Sequence, residues 1–223
     1  METAKPATEA ADEARRGGRP AAGTDPQKLG QIMEGAGRVF ATMGFDAASM
    51  SDVAREANVS KATLYVYFQN KQQLFAAICA EKRDRSIGEM TALLDVTKPL
   101  EAALSTFLSE MVKRVTQPFV VSAHRIVISV AERMPEIGRE FYEGGPHRLM
   151  LAVAAFISHH AEAGRLNVDD PQLAAAQLLE LGHASAYRPR LYGVITQPVS
   201  DEEAAKVTNS AIRVFLAAYG ARQ

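Results

Sequence analysis

The 223-residue chain has one cysteine, Cys79, so no intrachain disulfide is open to it. That suits a reducing compartment, and cytoplasmic action is expected. Long apolar runs are also missing. The most apolar stretch, Leu149 to Ile157, is far too short to span a bilayer. Residues 1–25 hold no apolar core of the kind a secretory signal needs. Positive charge is not in surplus either: 25 Lys and Arg stand against 26 Asp and Glu, a net charge of −1. Any hold on a polyanion must therefore come from a local patch. No run alternates with strand period beside a turn signal for long enough to form a sheet, and no solenoid repeat is visible. The patterns of catalysis are absent: no Gly-rich phosphate loop, no Cys/His nucleophile pair in context, no paired-carboxylate motif. Glu180-x-x-His183 has the spacing of a di-iron helical bundle, but no second copy occurs. The adjacent His159 and His160 point to different sides of a helix. No catalytic activity, metal site or cofactor is expected.

What is present is an ordinary globular balance, 47% hydrophobic and 23% charged, enough to build a core without staples. Residues 1–25 are poor in large apolar side chains and read as a disordered basic arm. Within it, Arg15-Arg16-Gly17-Gly18-Arg19 suits either a solvated tail or an arm lying in a DNA minor groove. From Pro26 the pattern changes. Leu29, Ile32, Met33, Ala36, Val39, Phe40 and Met43 form one apolar stripe at helical spacing. Asp25 can cap that helix, Pro26 fits its first position and Gly44 ends it. Short helices are predicted near 51–57 and 61–68, then longer ones over 70–94, 98–116, 119–132, 135–143, 146–163, 171–188 and 200–219. Pro118, Pro135, Gly144-Gly145-Pro146, Gly164 and Pro171 punctuate them. The β-branched run Val120–Val130 could form a strand, but its helical neighbours favour a helix. The fold class is all-α.

The informative stretch runs from Phe45 to Leu74. Ser49 precedes a short helix with Asp52 three residues on, a short-armed capping box. Val53, Ala57, Val59, Leu64 and Phe68 can pack two short helices onto the first long one, with small Ala54 at a close crossing. Asn58 sits at the break and tolerates the left-handed backbone of a tight turn. Ser60 caps the next helix. This is helix-turn-helix grammar, with the second helix offered to solvent. Its outer side holds Lys61, Thr63, Tyr65, Val66 and Tyr67. Lys and hydroxyl groups can reach phosphate, while Tyr and Val can also touch base edges or a thymine methyl. Lys71 starts the following helix, where its ammonium and the free amides can hold a phosphate.

The string Ser60-Lys61-Ala62-Thr63-Leu64-Tyr65-Val66-Tyr67-Phe68-x-x-Lys71-x-x-Leu74 closely resembles the signature of the TetR family of transcription regulators. Gly44-Phe45 and Val53-Ala54 resemble its approach segment. The resemblance implies a three-helix DNA-binding domain over 26–72, with contacts at Ser49, Ser51, Lys61, Thr63, Tyr65, Tyr67 and Lys71. Asn58 and Ala62 stand where the family usually carries Gly. The rest of the chain is read as one helical domain, 73–223, and from about residue 98 it resembles an AefR-like C-terminal domain through His124-Arg125, Ala131-Glu132-Arg133-x-Pro135-Glu136, Glu140-Phe141-Tyr142-x-x-Gly145-Pro146 and the Leu178–Leu191 region. That likeness implies a helical effector-binding and dimerisation domain whose last two long helices meet a second copy. Helix 200–219 has apolar residues on two sides, which fits one inner and one partner face. Two reading heads about 34 Å apart would read a palindrome.

Candidates for an effector pocket are Phe107, Met111, Phe119, His124, Phe141, Tyr142, Met150 and Phe156. Each one singly also suits a core position. Together, Met and aromatic side chains with few charges suit an apolar or aromatic effector. The expected function is a repressor released from operator DNA by such an effector. The rival is a helical small-molecule binding protein with little specific DNA binding, against which the intact Lys61–Lys71 surface argues.

Overall fold

A computed structural model describes residues 23–221, all helix and connecting turns apart from one isolated bridge. Most of the expected arm, including Arg15, Arg16 and Arg19, lies outside the described residues. The chain divides into two units, one ending at Phe75 and one beginning at Ala76.

The first unit contains α1 (Pro26–Met43), α2 (Met50–Glu56), α3 (Lys61–Tyr67) and the start of α4 (Lys71–Thr91). Asp25 accepts from the amides of Gln27 and Lys28 at 2.9 and 3.2 Å, and Pro26 opens α1 where no donor is needed. Gly44 ends the helix at φ 78°, in the left-handed region. The apolar stripe faces inward: Ile32, Ala36, Val39 and Phe40 are buried, as are Val53, Ala54 and Leu64 of the two short helices. Rings of Phe40, Phe45 and Phe75 close one end, with centroids 5.0–5.7 Å apart. Ala54 is buried, and α1 comes very close to the end of α2 at Gly35. A methyl on Gly35 would stand 2.7 Å from Ala57 Cβ and within 2.9 Å of its backbone. Only glycine lets α1 and α2 approach this closely.

The second unit continues α4 and adds α5 (Leu100–Val115), α6 (Pro118–Val130), α7 (Pro135–Tyr142), α8 (Arg148–Glu162), α9 (Pro171–His183), α10 (Tyr187–Leu191) and α11 (Asp201–Tyr219). The β-branched run is helical, begun by Pro118 at its first position. Leu104, Phe107, Leu108, Val112, Val153, Ile157, Leu178 and Phe215 are almost wholly buried in one core shared by α5, α8, α9 and α11. Burial of each such side chain stabilises by about 1.5–3 kcal/mol. Cys79 is buried, and that burial pushes its thiol up to about 12, with Arg83 and Lys82 opposing. No helix of the described residues is long and apolar enough to cross a membrane.

Two boundaries differ from the sequence reading. Gly144-Gly145-Pro146 does not break the helix. Residues Glu143–His147 form a π-helical turn that joins α7 to α8. The Arg83 side chain lies across it: a methyl on Gly144 would stand 2.6 Å from Arg83 Cζ, and one on Gly145 2.7 Å from Cδ. Arg83 also donates to the Glu140 carbonyl at 3.2 Å, and Arg148 pairs with Asp84 at 2.8 Å. The helix predicted over 171–188 ends at His183, and α10 follows as a separate short piece. Arg190 of α10 is buried and fastens the next connection. It donates to the carbonyls of Ala186 and Gln197, both at 2.7 Å, and to both Glu203 oxygens at 3.1 and 2.9 Å.

Candidate nucleic-acid interface and effector cleft

Two short helices and one unusual residue build the reading head. Ser49 Oγ accepts from the Asp52 amide at 3.2 Å, and Asp52 accepts from the Ser49 amide at 3.1 Å, so the capping box is closed. Those bonds from Ser49, with a smaller contribution from Arg55, hold the Asp52 carboxyl below the usual carboxylate range. Asn58 takes φ 50°, the left-handed turn that aims α3 away from α2. Ser60 Oγ accepts from the Thr63 amide at 3.0 Å and starts α3. Leu64 is fully buried and Phe68 nearly so, which anchors α3 by its inner side. Lys61, Ala62, Tyr65 and Val66 are left facing solvent; Tyr65 is 51% and Val66 53% exposed. An apolar and aromatic face of this size on a seven-residue helix contributes nothing to its own core.

The expected contact residues fall into three groups. Lys61 and Tyr65 stand on the open face of α3. Thr63 and Tyr67 are half-buried on α3, while Ser49 and Ser51 stand at the start of α2. The hydroxyl of Ser49 meets Asp52, that of Thr63 meets Ser60 at 2.8 Å, and that of Tyr67 donates to the Asp25 carbonyl at 3.4 Å. Ser51 is half-buried at the start of α2. Lys71 is different. Its ammonium donates to the carbonyls of Phe45, Asp46 and Ala48 at 2.6, 3.2 and 2.9 Å, and lies 4.4 Å from the Phe45 ring centre. Its three protons are thus engaged by the turn before α2. In this structure the side chain clamps the head, and only the first-turn amides of α4 remain to meet a phosphate there. Sequence reading also missed Gln31, whose side chain donates to the Ala57 carbonyl at 2.6 Å across the α1–α2 crossing. The only sequence signal for that crossing was a glycine inside an amphipathic stripe.

The effector candidates separate as well. Phe107, Met111 and Phe156 belong to the central core, and Met150 packs against it. Phe119 lies under the Lys82 ammonium, 4.4 Å from its ring centre. His124, Phe141 and Tyr142 do come together. They line an open cleft of about 460 Å³ with Val127, Ile128, Ala131, Pro135, Gly138, Arg139 and Pro146. The cleft wall is mostly apolar, with Arg139, the His124 imidazole and the phenol of Tyr142 as its polar side chains. His124 stacks edge-on against Phe141 and Tyr187 at 5.1 and 5.4 Å, and its Nδ1 is buried without a hydrogen bond of good geometry. Burial pushes His124 down to about 4. The Val120 carbonyl opposes this and His183 adds to it, so the imidazole is neutral at pH 7. Nothing in the residue pattern marks the aliphatic wall from α6 and α7, whose members look like any core residues.

Residues 32–78 match the family profile described as bacterial regulatory proteins, tetR family. Residues 102–221 match the profile for the AefR-like transcriptional repressor C-terminal domain. The uncharacterised helix-turn-helix-type regulator YhgD of Bacillus subtilis (strain 168) is 27% identical over 165 residues, 70% of this chain and 80% of that one. Among solved structures, a protein of Mesorhizobium loti MAFF303099 assigned to the TetR family of transcriptional regulators superposes with a TM-score of 0.78 at 26% identity. The match covers 87% of this chain and 97% of that one. The flavonoid-responsive regulator FrrA does so with a TM-score of 0.71 at 29% identity, covering 89% and 100%.

Proposed function

The chain belongs to the TetR family of bacterial regulatory proteins, and on that footing we propose that it represses transcription from a palindromic operator until a small, mostly apolar effector releases it. The observation that carries this reading is the outer face of α3, where Lys61, Tyr65 and Val66 stand exposed on a helix capped and anchored from behind. One such helix contacts few bases, so the reading includes a homodimer that presents two. Its partner face is assigned to α9 and α11, where Leu173 is 53% and Val214 49% exposed outside the core. Ser49, Ser51, Thr63 and Tyr67 are assigned to the edges of the DNA contact. The protein acts in the cytoplasm as a regulator and not as an enzyme.

The effector site is assigned to the cleft of His124, Phe141 and Tyr142. A neutral imidazole, aromatic edges and an aliphatic wall favour a flat apolar molecule, with Arg139 at the rim for one polar group. The flavonoid response of FrrA points the same way. Pro146 and Tyr142 belong both to the cleft wall and to the segment on which Arg83 rests. A ligand there loads Arg83, and Arg83 belongs to α4, the one helix that runs from the first unit into the second. The effector must favour the state that does not hold DNA, by roughly 1–3 kcal/mol.

The test is a fluorescence titration against DNA flanking the chain's own gene, at two salt concentrations, with wild type and Tyr65→Ala. Nanomolar, palindrome-dependent binding that falls at least tenfold in the variant is expected. Sequence-blind binding that vanishes with salt, here and in a genome-wide selection, would overturn the reading.

A further inference from the structure

The side chains that α3 lacks limit what it can read. The helix runs Lys61-Ala62-Thr63-Leu64-Tyr65-Val66-Tyr67 and holds no Arg, Asn, Gln, Asp or Glu. In the major groove Arg and Lys bond guanine, Asn and Gln bond adenine, and Asp or Glu accepts from cytosine. Of these types α3 has one lysine, at its first position. Two of its hydroxyls already have partners. Thr63 Oγ1 meets Ser60 Oγ at 2.8 Å, and Tyr67 donates to the Asp25 carbonyl at 3.4 Å. On the neighbouring α2, Ser49 and Asp52 are closed on each other. The polar groups left on the open side of α3 are the Lys61 ammonium and the Tyr65 hydroxyl.

The rest of that side is apolar. At about 3.6 residues per turn, Ala62, Tyr65 and Val66 fall within about 100° of arc, and all three are exposed. Leu64 and Phe68 hold the opposite side in the core. The surface is also stiff. Valine has one strongly preferred rotamer in a helix and alanine has no rotamers, so these methyl groups stand in fixed places. One methyl of Val66, Cγ1, borders Gly23, where an added Cβ would stand 3.2 Å away. The C5 methyl of thymine is the apolar group that a base pair offers in the major groove. Covering it with a methyl or a ring removes apolar surface from water on both partners.

We infer that the chain tells its operator from other DNA chiefly by thymine methyl groups, which Ala62, Tyr65 and Val66 cover, and not by hydrogen bonds to guanine. The operator half-site then carries thymine where Ala62 and Val66 press, and each covered methyl changes affinity by about fourfold. Lys61, in the first turn of α3, serves phosphate and adds affinity without sequence. The inference rests on the DNA-binding reading above and names what that face recognises.

The test uses the full chain and an operator selected from random DNA by the wild type. Each thymine is replaced in turn by deoxyuridine, which pairs alike but lacks the methyl, and each guanine by 7-deazaguanine, which lacks the N7 acceptor. Affinities are read by fluorescence anisotropy for wild type, Val66→Ala and Ala62→Gly, and matching thermal melts exclude a folding defect. At least one thymine per half-site should cost about fourfold on losing its methyl, and about fifteenfold when both half-sites are changed. No guanine should cost more than about twofold. In Val66→Ala or Ala62→Gly the penalty at the matched thymine should shrink toward none, because the two methyl groups are coupled. Indifference to every deoxyuridine, a loss of about tenfold or more at a guanine, or a methyl penalty that both variants keep in full overturns the inference and leaves the DNA-binding reading standing. A wild type that selects no sequence overturns that reading, and the inference with it.

Discussion

The two units of this chain carry their information differently. In the first, a short string of polar and small residues fixes the structure position by position: Asp25, Gly35, Gly44, Ser49, Asp52, Asn58 and Ser60 each make one cap, turn or close approach that few other residues can make. In the second, Leu, Val, Ala and Phe fill a core in which many substitutions of similar volume would serve. A reading head must present a few side chains in one geometry, so its scaffold is written in specific chemistry. A domain that packs helices around a replaceable effector can be written in bulk. The first kind of sequence is legible residue by residue; the second reveals its helices but not its pocket.

The sharpest test of that contrast compares a core residue with a cleft residue of the second unit. Both kinds of aromatic read alike in the sequence, yet Phe107 is fully buried while Tyr142 is 56% exposed. Phe107→Ala should lower unfolding stability by about 3–5 kcal/mol, measured by urea titration. Tyr142→Ala should change stability by no more than about 0.5 kcal/mol and should weaken effector release of the operator. Equal stability losses would erase the distinction between core and cleft.

The reason the sequence could not separate them is physical. Periodicity says which residues share a face, and Phe107, Met111 and Phe141 all lie on apolar faces. Which face meets another helix and which meets a gap depends on partners far along the chain. Gly182 accepts the Met111 tip so closely that a methyl there would stand 2.5 Å from it, and this closes the space a ligand would need. Gly144-Gly145 shows the same limit. Glycines before a proline suggest a break, but with Arg83 laid across them, from about sixty residues earlier, they form a π-helical turn inside a continuing helix. Lys71 is the counterpart in the first unit. Its position was legible, but not the three carbonyls that surround its ammonium. The helix-turn-helix, by contrast, was legible down to its caps, because those hydrogen bonds join residues three positions apart.

A second test uses pH, since the cleft wall includes a buried imidazole and the first unit has no histidine. Burial lowers His124 from 6.5 to about 4 in the folded chain. Between those values the unfolded chain binds a proton that the folded chain refuses, so stability is present above pH 6.5 and is lost as pH falls toward 4. The contribution lost by pH 5 is about 2 kcal/mol. His183 and His160 are also lowered, chiefly by burial, and add to the slope in the same direction. His124→Gln should therefore flatten the decline between pH 7 and 5 without removing it, as read from urea midpoints. An unchanged slope would mean that the imidazole is more open to water than the structure shows.

The smallest expected effect probes the single-residue grammar of the head. Asn58 holds φ 50° with an exposed side chain, so its identity matters through the backbone alone. Asn58→Ala places an ordinary L side chain in the left-handed region and should cost about 1 kcal/mol, while Asn58→Gly should cost nothing and can stabilise. The two variants change no surface that DNA would touch by way of α3. If Ala lowers operator affinity in step with stability, and Gly leaves both intact, the turn acts only by aiming the helix. If Gly keeps stability but weakens operator binding, the Asn58 amide itself makes a contact, and one position in the reading head carries two kinds of information at once.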